Sequence, residues 1–313
     1  MNSFASRTRL RDQRPILRSG HGFPALFVLI ISTIAWVLPT LAEDPSRVPA
    51  KAQVASAAND HSKRVLDSTA TRAPSGSASL AEVDPIARAR AAIADCKSQY
   101  LKIQDYTCTF FKRERIDGKL YTQHIMNMKA RTKPASLYFK FIQPNSGREA
   151  IFIHGKNNNK IVAHDVGFGR LVAGTMHLDP NGDMAMEENR HPVTEAGLGS
   201  MIDLVKARWD TELHPGESVL RFHPQAAVGD RPCLMIESIH PRKTNEFLFY
   251  KVNLYIDREL NLPIRFEAYD WPKHPGAEPE LLEEYTYVNL KTNVGLKDKD
   301  FDPTNSVYSY GRF

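Results

Sequence analysis

The sequence predicts a mainly β domain of the α+β kind: a strongly curved antiparallel sheet of about ten strands, with helices packed on its concave side. Three observations predict it. From Thr107 onward, apolar and polar residues alternate with period two in a succession of short runs. The links between the first five runs are too short for a parallel crossover, so neighbouring runs are antiparallel. Only two stretches carry a helical stripe, and no strand–helix–strand alternation occurs, which excludes Rossmann and TIM arrangements.

The chain opens with a basic leader, Arg7, Arg9, Arg11, Arg14 and Arg18, followed by an apolar stretch from Phe23 to Ala42. Small residues at Thr40-Leu41-Ala42 suit cleavage, so residues 1–42 read as a secretory signal peptide, or as an uncleaved signal anchor. No Cys follows for lipidation, and no paired arginines precede for twin-arginine export. Export places the protein in the periplasm or cell envelope. Residues 43–80, rich in Ala, Ser, Pro and Thr, cannot bury enough surface to fold and read as a disordered spacer, or as a tether if the anchor stays. Residues 81–313 form one domain.

The leader holds five Arg and one Asp, +4 of the chain's net +5, and leaves the exported part nearly neutral. A nucleic-acid partner, which needs a basic footprint, is not expected. The cysteines are Cys96, Cys108 and Cys233. Cys108 and Cys233 both fall in expected strands, where either a cross-strand disulfide or buried thiols fit. No C-x-x-C is present, so neither a zinc knuckle nor a redox motif is indicated.

Asp84 as N-cap before Pro85 starts the first helix, with Ile86, Ala89, Ile93, Cys96 and Tyr100 on one stripe. Strands follow at Thr107–Ile116 and Leu120–Ala130 around an Asp117-Gly118 hairpin turn, then at Ser136–Gln143, Glu149–His154 and Lys160–His164. Gly167 to Pro192 has weak periodicity and reads as an irregular excursion with a short strand or a turn of helix. Thr194 opens a second helix striped by Leu198, Ile202, Val205 and Trp209. Five further strands run Val219–His223, Cys233–His240, Leu248–Asp257, Pro263–Trp271 and Glu283–Val294. In the last, Thr286, Val288, Leu290, Thr292 and Val294 share one face, and the strand reads as the sheet's closing edge. Beyond it, Leu296 and Phe301 are apolar anchors, and Asp298 caps a turn at Lys299–Phe301.

Each standard catalytic pattern fails in detail. "GFGRLVAG" lacks the third glycine of a dinucleotide loop, because Val172 stands there. "GLGSM" around Ser200 is not a nucleophile elbow. "DPNGDMAME" places Gly182 fourth rather than sixth for a calcium loop. His154, His164, His177 and His191 flank or enter the excursion without metal-ligand spacing, though His154 and His164 could face each other across a hairpin. "FFKRER" reads as an alternating strand with cross-strand charge pairs.

The segments "YTCTFFKRERIDGKL", "PNSGREAIF", "YIDRELNLPIRFEAYDWP" and "EEYTYVNLKTNVGLKDKDF" resemble a bacterial family of exported domains of uncharacterised function. That family is similar in fold to periplasmic lipoprotein carriers of the LolA type and their lipid-binding relatives. The resemblance implies an unclosed β-barrel with helices as a lid over an apolar cavity. It implies a non-enzymatic, monomeric protein that binds a lipid, an acyl chain or a lipoprotein anchor, without cofactor or metal, and that exchanges it with a membrane-bound donor or acceptor. Cavity candidates are Phe139, Phe141, Ile151, Ile153, Val252, Leu254, Phe266, Val288 and Leu290, with Ile202, Val205 and Trp209 as lid. Arg113 and Arg148 are candidates for the arginine that holds a carrier's lid shut. The alternatives are an envelope scaffold with a filled core, and a metal-dependent hydrolase built on the excursion's His and Asp residues.

Overall fold

The computed structural model describes residues 84–166 and 174–310. The expected leader, the spacer and most of "GFGRLVAG" lie outside the described residues. Helix α1 spans Pro85–Tyr100. The Asp84 carboxylate accepts hydrogen bonds from the backbone N–H of Ile86 and Ala87, and Ile86, Ala89, Ile93 and Cys96 are buried, as the stripe predicts.

The strands are β1 (Asp105–Ile116), β2 (Lys119–Leu120), β3 (His124–Arg131), β4 (Ser136–Gln143), β5 (Glu149–Ile153), β6 (Ile161–His164) and β7 (Thr175–Leu178), then β8 (Val219–Val228), β9 (Arg231–Ile239), β10 (Lys251–Asp257), β11 (Pro263–Tyr269) and β12 (Leu281–Thr292). They make one antiparallel sheet in the order β7-β6-β5-β4-β3-β1-β12-β11-β10-β9-β8, with β2 folded back on β1. The ends β7 and β8 do not pair with each other, so the sheet stays unclosed. Twelve strands stand against the expected ten because two short ones were not resolved by periodicity. One is β2, set off by the Asp117-Gly118 turn, whose residues have φ of 49° and 79°. The other is β7, inside the excursion.

Two expectations about β12 are corrected. It is no edge: it lies mid-sheet, between β1 and β11. Its alternation also breaks. The β1–β12 register slips between Thr109↔Val288 and Thr107↔Lys291, where Asn289 takes φ of 54°. Before this bulge, Tyr285 and Tyr287 point toward the helices, while Val288 packs with Val228, Cys233 and Ile264 on the opposite face. Leu290 touches both cores.

Helix α2 spans Leu198–Glu212, starting later than Thr194. The start is set by Gly197, whose φ of 101° suits glycine and whose added Cβ would lie 2.8 Å from the Tyr106 hydroxyl. That hydroxyl accepts the Leu198 N–H at 3.0 Å, so a β1 side chain caps α2. Both helices pack on one face of the sheet, here the front face, in a single core with Tyr106, Cys108, Phe110, Met128, Phe139, Leu254 and Phe266.

The back face of β4–β6 is covered by the chain's end. Tyr138, Ile151, Ile153 and Val162 pack there with Phe301, Leu296, Tyr308 and Tyr310. Phe301 is the anchor expected of it, but the turn Asp298–Phe301 is capped from Lys297, whose N–H meets the Asp300 carboxylate at 2.9 Å. Asp298 instead pairs with Arg131 at 2.6 Å, and Asp300 also pairs with Lys129 at 2.7 Å. All three cysteines are free and buried. Cys108 and Cys233 sit in cores on opposite faces, which removes the disulfide alternative.

The excursion is pinned to the front face by a buried ionic cluster. Lys112 Nζ donates to Glu114 Oε2 at 3.0 Å, to the Glu188 carbonyl at 2.8 Å and to Asn189 Oδ1. Fully buried Glu283 accepts from Arg190 Nε at 3.0 Å and from His191 Nε2 at 2.8 Å. Burial alone would lower the His191 pKa, but the Glu283 charge and hydrogen bonds to Glu195 and Glu283 outweigh it and push it up to about 10. Burial would raise the Glu283 pKa, yet His191 and Arg190 hold it below the usual carboxylate range.

Two outcomes follow. Tyr106→Phe leaves the buried Leu198 N–H unpaired and lowers stability by about 1–3 kcal/mol, measurable by urea denaturation. No loss of stability would mean that the hydroxyl does not cap α2. His191 has a raised folded pKa, so its stabilising contribution is complete below about 6.5, the unfolded value, and is lost as pH rises toward about 10. NMR titration should therefore find His191 still an imidazolium at pH 8; a midpoint near 6.5 would refute the pairing.

Candidate functional site

The site is the seam where α2 lies over β9–β11. Apolar walls come from Val205 and Trp209 of the helix and from Phe249, Val252 and Phe266 of the sheet side. Between them is a void of about 20 Å³. That is room for roughly one water, against about 300–1,000 Å³ for ligand pockets. The sequence places these residues here through two periodicities. Helical spacing puts Val205 and Trp209 on one stripe, and strand alternation puts Val252 and Phe266 on the front face.

The end of α2 is latched to α1 by one side chain. Arg90 Nε donates to the Trp209 carbonyl at 3.0 Å, and its Nη2 donates to the carbonyls of Asp210 at 3.2 Å and Leu213 at 2.9 Å. These carbonyls have no partner further along the helix, and a cation there also complements the helix dipole.

Polar groups close the same end of the seam. Glu212, only 5% exposed, accepts from Arg208 at 3.1 Å, and its Oε2 lies 3.8 Å from His240 Nε2. His240 Nδ1 lies 3.3 Å from Ser218 Oγ, and the His240 ring stacks on Phe247. Burial, then the nearby His214, lowers the His240 pKa to about 4, so the ring is neutral. Burial raises the Glu212 pKa against the opposing pull of Arg208. A serine, a histidine and a glutamate in this order suggest a hydrolytic triad, but the serine is committed. Ser218 Oγ lies 3.2 Å from the Glu212 carbonyl, to which it donates, and accepts from the His214 N–H at 3.1 Å. The string fastens α2 to β9 and presents no activated nucleophile.

Of the sequence candidates, Val205, Trp209, Val252 and Phe266 line the seam. Phe139, Ile202 and Leu254 are buried in the same front core, and Phe141 packs against it. Ile151 and Ile153 lie on the back face under the C-terminal segment, and Val288 lies on the back face in a separate cluster, so these three do not share the lid's side. Neither candidate arginine touches α2. Arg148 grips Asp165 through two hydrogen bonds, 2.9 and 3.1 Å, and approaches Glu188. Arg113 stands opposite Glu284 in the β1–β12 ladder.

His154 and His164 do not face each other. The β5–β6 register sets Glu149 against His164, and His154 follows the far end of β5. Among the described residues, no group of three His, Cys, Asp or Glu side chains could hold a metal ion. Arg90 escaped the sequence reading. Its one signal is position: it falls one turn after Ile86 and one before Ile93, on the flank of the buried stripe.

Several solved structures are similar to the chain at low identity. A DUF1329 family protein from Desulfovibrio piger is 13% identical, with 70% of this chain and 98% of that one covered at a TM-score of 0.35. The lipoprotein LppX of Mycobacterium tuberculosis is 11% identical, with 69% and 99% covered at 0.40. A LolA superfamily protein from Nitrosomonas europaea is 10% identical, with 68% and 97% covered at 0.27. No curated protein matches the chain. Residues 103–310 match the family described as "Protein of unknown function (DUF1571)", and the chain belongs to that family.

Proposed function

We propose that this protein is an exported, non-enzymatic envelope protein that shelters an apolar chain, such as the acyl chain of a lipid or lipoprotein, between α2 and the front face of its sheet. The observation that carries this reading is the seam: an apolar helix-on-sheet interface with a residual void, latched at one end by a single arginine. The closed seam has no room for a chain, so binding requires α2 to lift. The resemblance of the motifs to lipid-binding carriers supports the same reading. Each methylene that enters contributes about 0.8 kcal/mol.

A second reading has its own observation. The void of about 20 Å³ fits a permanently filled core, and then the domain is a scaffold or interaction module in the envelope.

The two readings separate in one experiment. Protein purified from its own envelope is subjected to native mass spectrometry with lipid extraction, and in parallel is titrated with a fluorescent fatty acid. The carrier reading expects a co-purifying lipid or saturable probe binding; neither would leave the scaffold reading. Arg90→Met removes the latch. It should cost about 2 kcal/mol of stability and should accelerate probe uptake several-fold. Unchanged uptake with lowered stability would show that α2 does not act as the lid.

A further inference from the structure

The seam is apolar along its length but not at the end where α2 finishes. There the void is lined by Ser238 and His240 from the sheet side and by Arg208 and Glu212 from the helix. Ser238, His240 and Glu212 are 2%, 4% and 5% exposed. Polar side chains this deep cost stability unless something partners them. The helix pair satisfies itself, Arg208 donating to Glu212 at 3.1 Å. The sheet pair does not. Among the described residues, the Ser238 side chain makes no hydrogen bond. His240 Nδ1 meets Ser218, but its Nε2 has only Glu212 Oε2 at 3.8 Å, beyond hydrogen-bond reach.

The four groups also divide between lid and floor. Ser238 stands opposite Val252 in the β9–β10 ladder. The His240 N–H donates to the Tyr250 carbonyl at 2.8 Å, its carbonyl accepts from Trp271 Nε1 at 3.0 Å, and its ring stacks on Phe247. None of these anchors belongs to α2. Lifting the helix therefore removes Arg208 and Glu212 and leaves Ser238 and His240 where they are. The exposed floor is then Phe249, Val252 and Phe266 with one hydroxyl and one neutral imidazole at its end.

We propose that this corner is the head-group end of the seam, and that the molecule bound there is a single-chain amphiphile with an uncharged, hydroxyl-bearing head. This rests on the reading that α2 lifts to admit an apolar chain. A hydroxyl both donates and accepts, which matches the unspent capacity of Ser238 and His240. Its oxygen is the size of a water, and the void between these groups has room for roughly one water. A carboxylate or phosphate would be buried without a counter-charge, because Arg208 is held by Glu212 and departs with the helix. An ester with no hydroxyl can only accept, so it satisfies one side of the corner's capacity.

Competition against the fluorescent fatty acid at pH 8 tests this with three probes that share an oleoyl chain: 1-monooleoylglycerol, methyl oleate and oleate. Monooleoylglycerol should bind at least tenfold more tightly than either of the others. Ser238→Ala, a small change on the floor, and His240→Phe, which keeps a ring on Phe247, should each weaken monooleoylglycerol by about tenfold and leave methyl oleate unchanged. If His240→Phe does not fold, Ser238→Ala decides alone. Equal binding of the three probes, or a loss that monooleoylglycerol and methyl oleate share in Ser238→Ala, would overturn the head-group assignment and leave the apolar-chain reading standing. Binding of none of the three would remove that reading, and this one with it.

Discussion

The pairing of β1 with β12 is the constraint on which the rest depends. Tyr106 stands opposite Thr292, so the first long strand of the domain is zipped to the last. That ladder joins two meanders, β3 to β7 on one side and β11 to β8 on the other. Without β12 they would be separate sheets, each with an apolar front face half covered. The pairing also delivers the chain's end to the back of β3–β6. Asp105 fixes the exit, accepting the N–H groups of Gly295 and Leu296 at 3.1 and 3.0 Å. The carboxylates of "KDKDF" then become ion-pair partners of β3 rather than a catalytic pair. Closing a loop of nearly the whole domain carries an entropic penalty that only a long ladder offsets.

With the sheet assembled, its faces divide the work. The back face is covered by the C-terminal segment at one end and is laced with charge pairs such as Arg265 with Glu267 and Glu284 elsewhere. The front face takes both helices through apolar contact. Polar attachments sit at the margins: Tyr106 under the start of α2, Arg90 and Glu212 at its end, and the Lys112–Glu114–Glu283 cluster under the excursion. A helix held apolar along its length and polar at its ends has a defined docked position.

Much of the fold was legible in the sequence because strand and helix periods report which residues share a face. The Asp84-Pro85 start, the Asp117-Gly118 turn, β4 and the Phe301 anchor stand where the pattern places them. Periodicity does not report which strands are neighbours, so β12 read as an edge. Nor does it report which face of a strand turns to the helices, so Val288 was placed on the front that Tyr285 and Tyr287 occupy, and it does not foresee the bulge near Asn289 that leaves Leu290 touching both cores. The seam was legible in part, through Val205, Trp209, Val252 and Phe266. Its latch was not, because Arg90 and Trp209 are 119 residues apart and an arginine on a helix flank is an ordinary surface residue in sequence.

The small void bears on how a closed front core could still serve a ligand. An acyl chain of about sixteen methylenes contributes about 13 kcal/mol gross on burial, at about 0.8 kcal/mol per methylene. Lifting α2 forfeits the burial of a few side chains, at about 1.5–3 kcal/mol each, together with the arginine latch. These quantities are of the same order, so exchange of helix for chain is feasible only if the chain takes over the contacts that the helix gives up. Position decides it. The void adjoins Val205 and Trp209 and also Glu212 and His240, buried polar groups that lower stability unless partnered. A core selected for packing alone would fill that corner with aliphatic side chains. Here Glu212 and His240 stand there instead, partnered by Arg208 and Ser218, so under the proposed reading this polar string must part before α2 can lift.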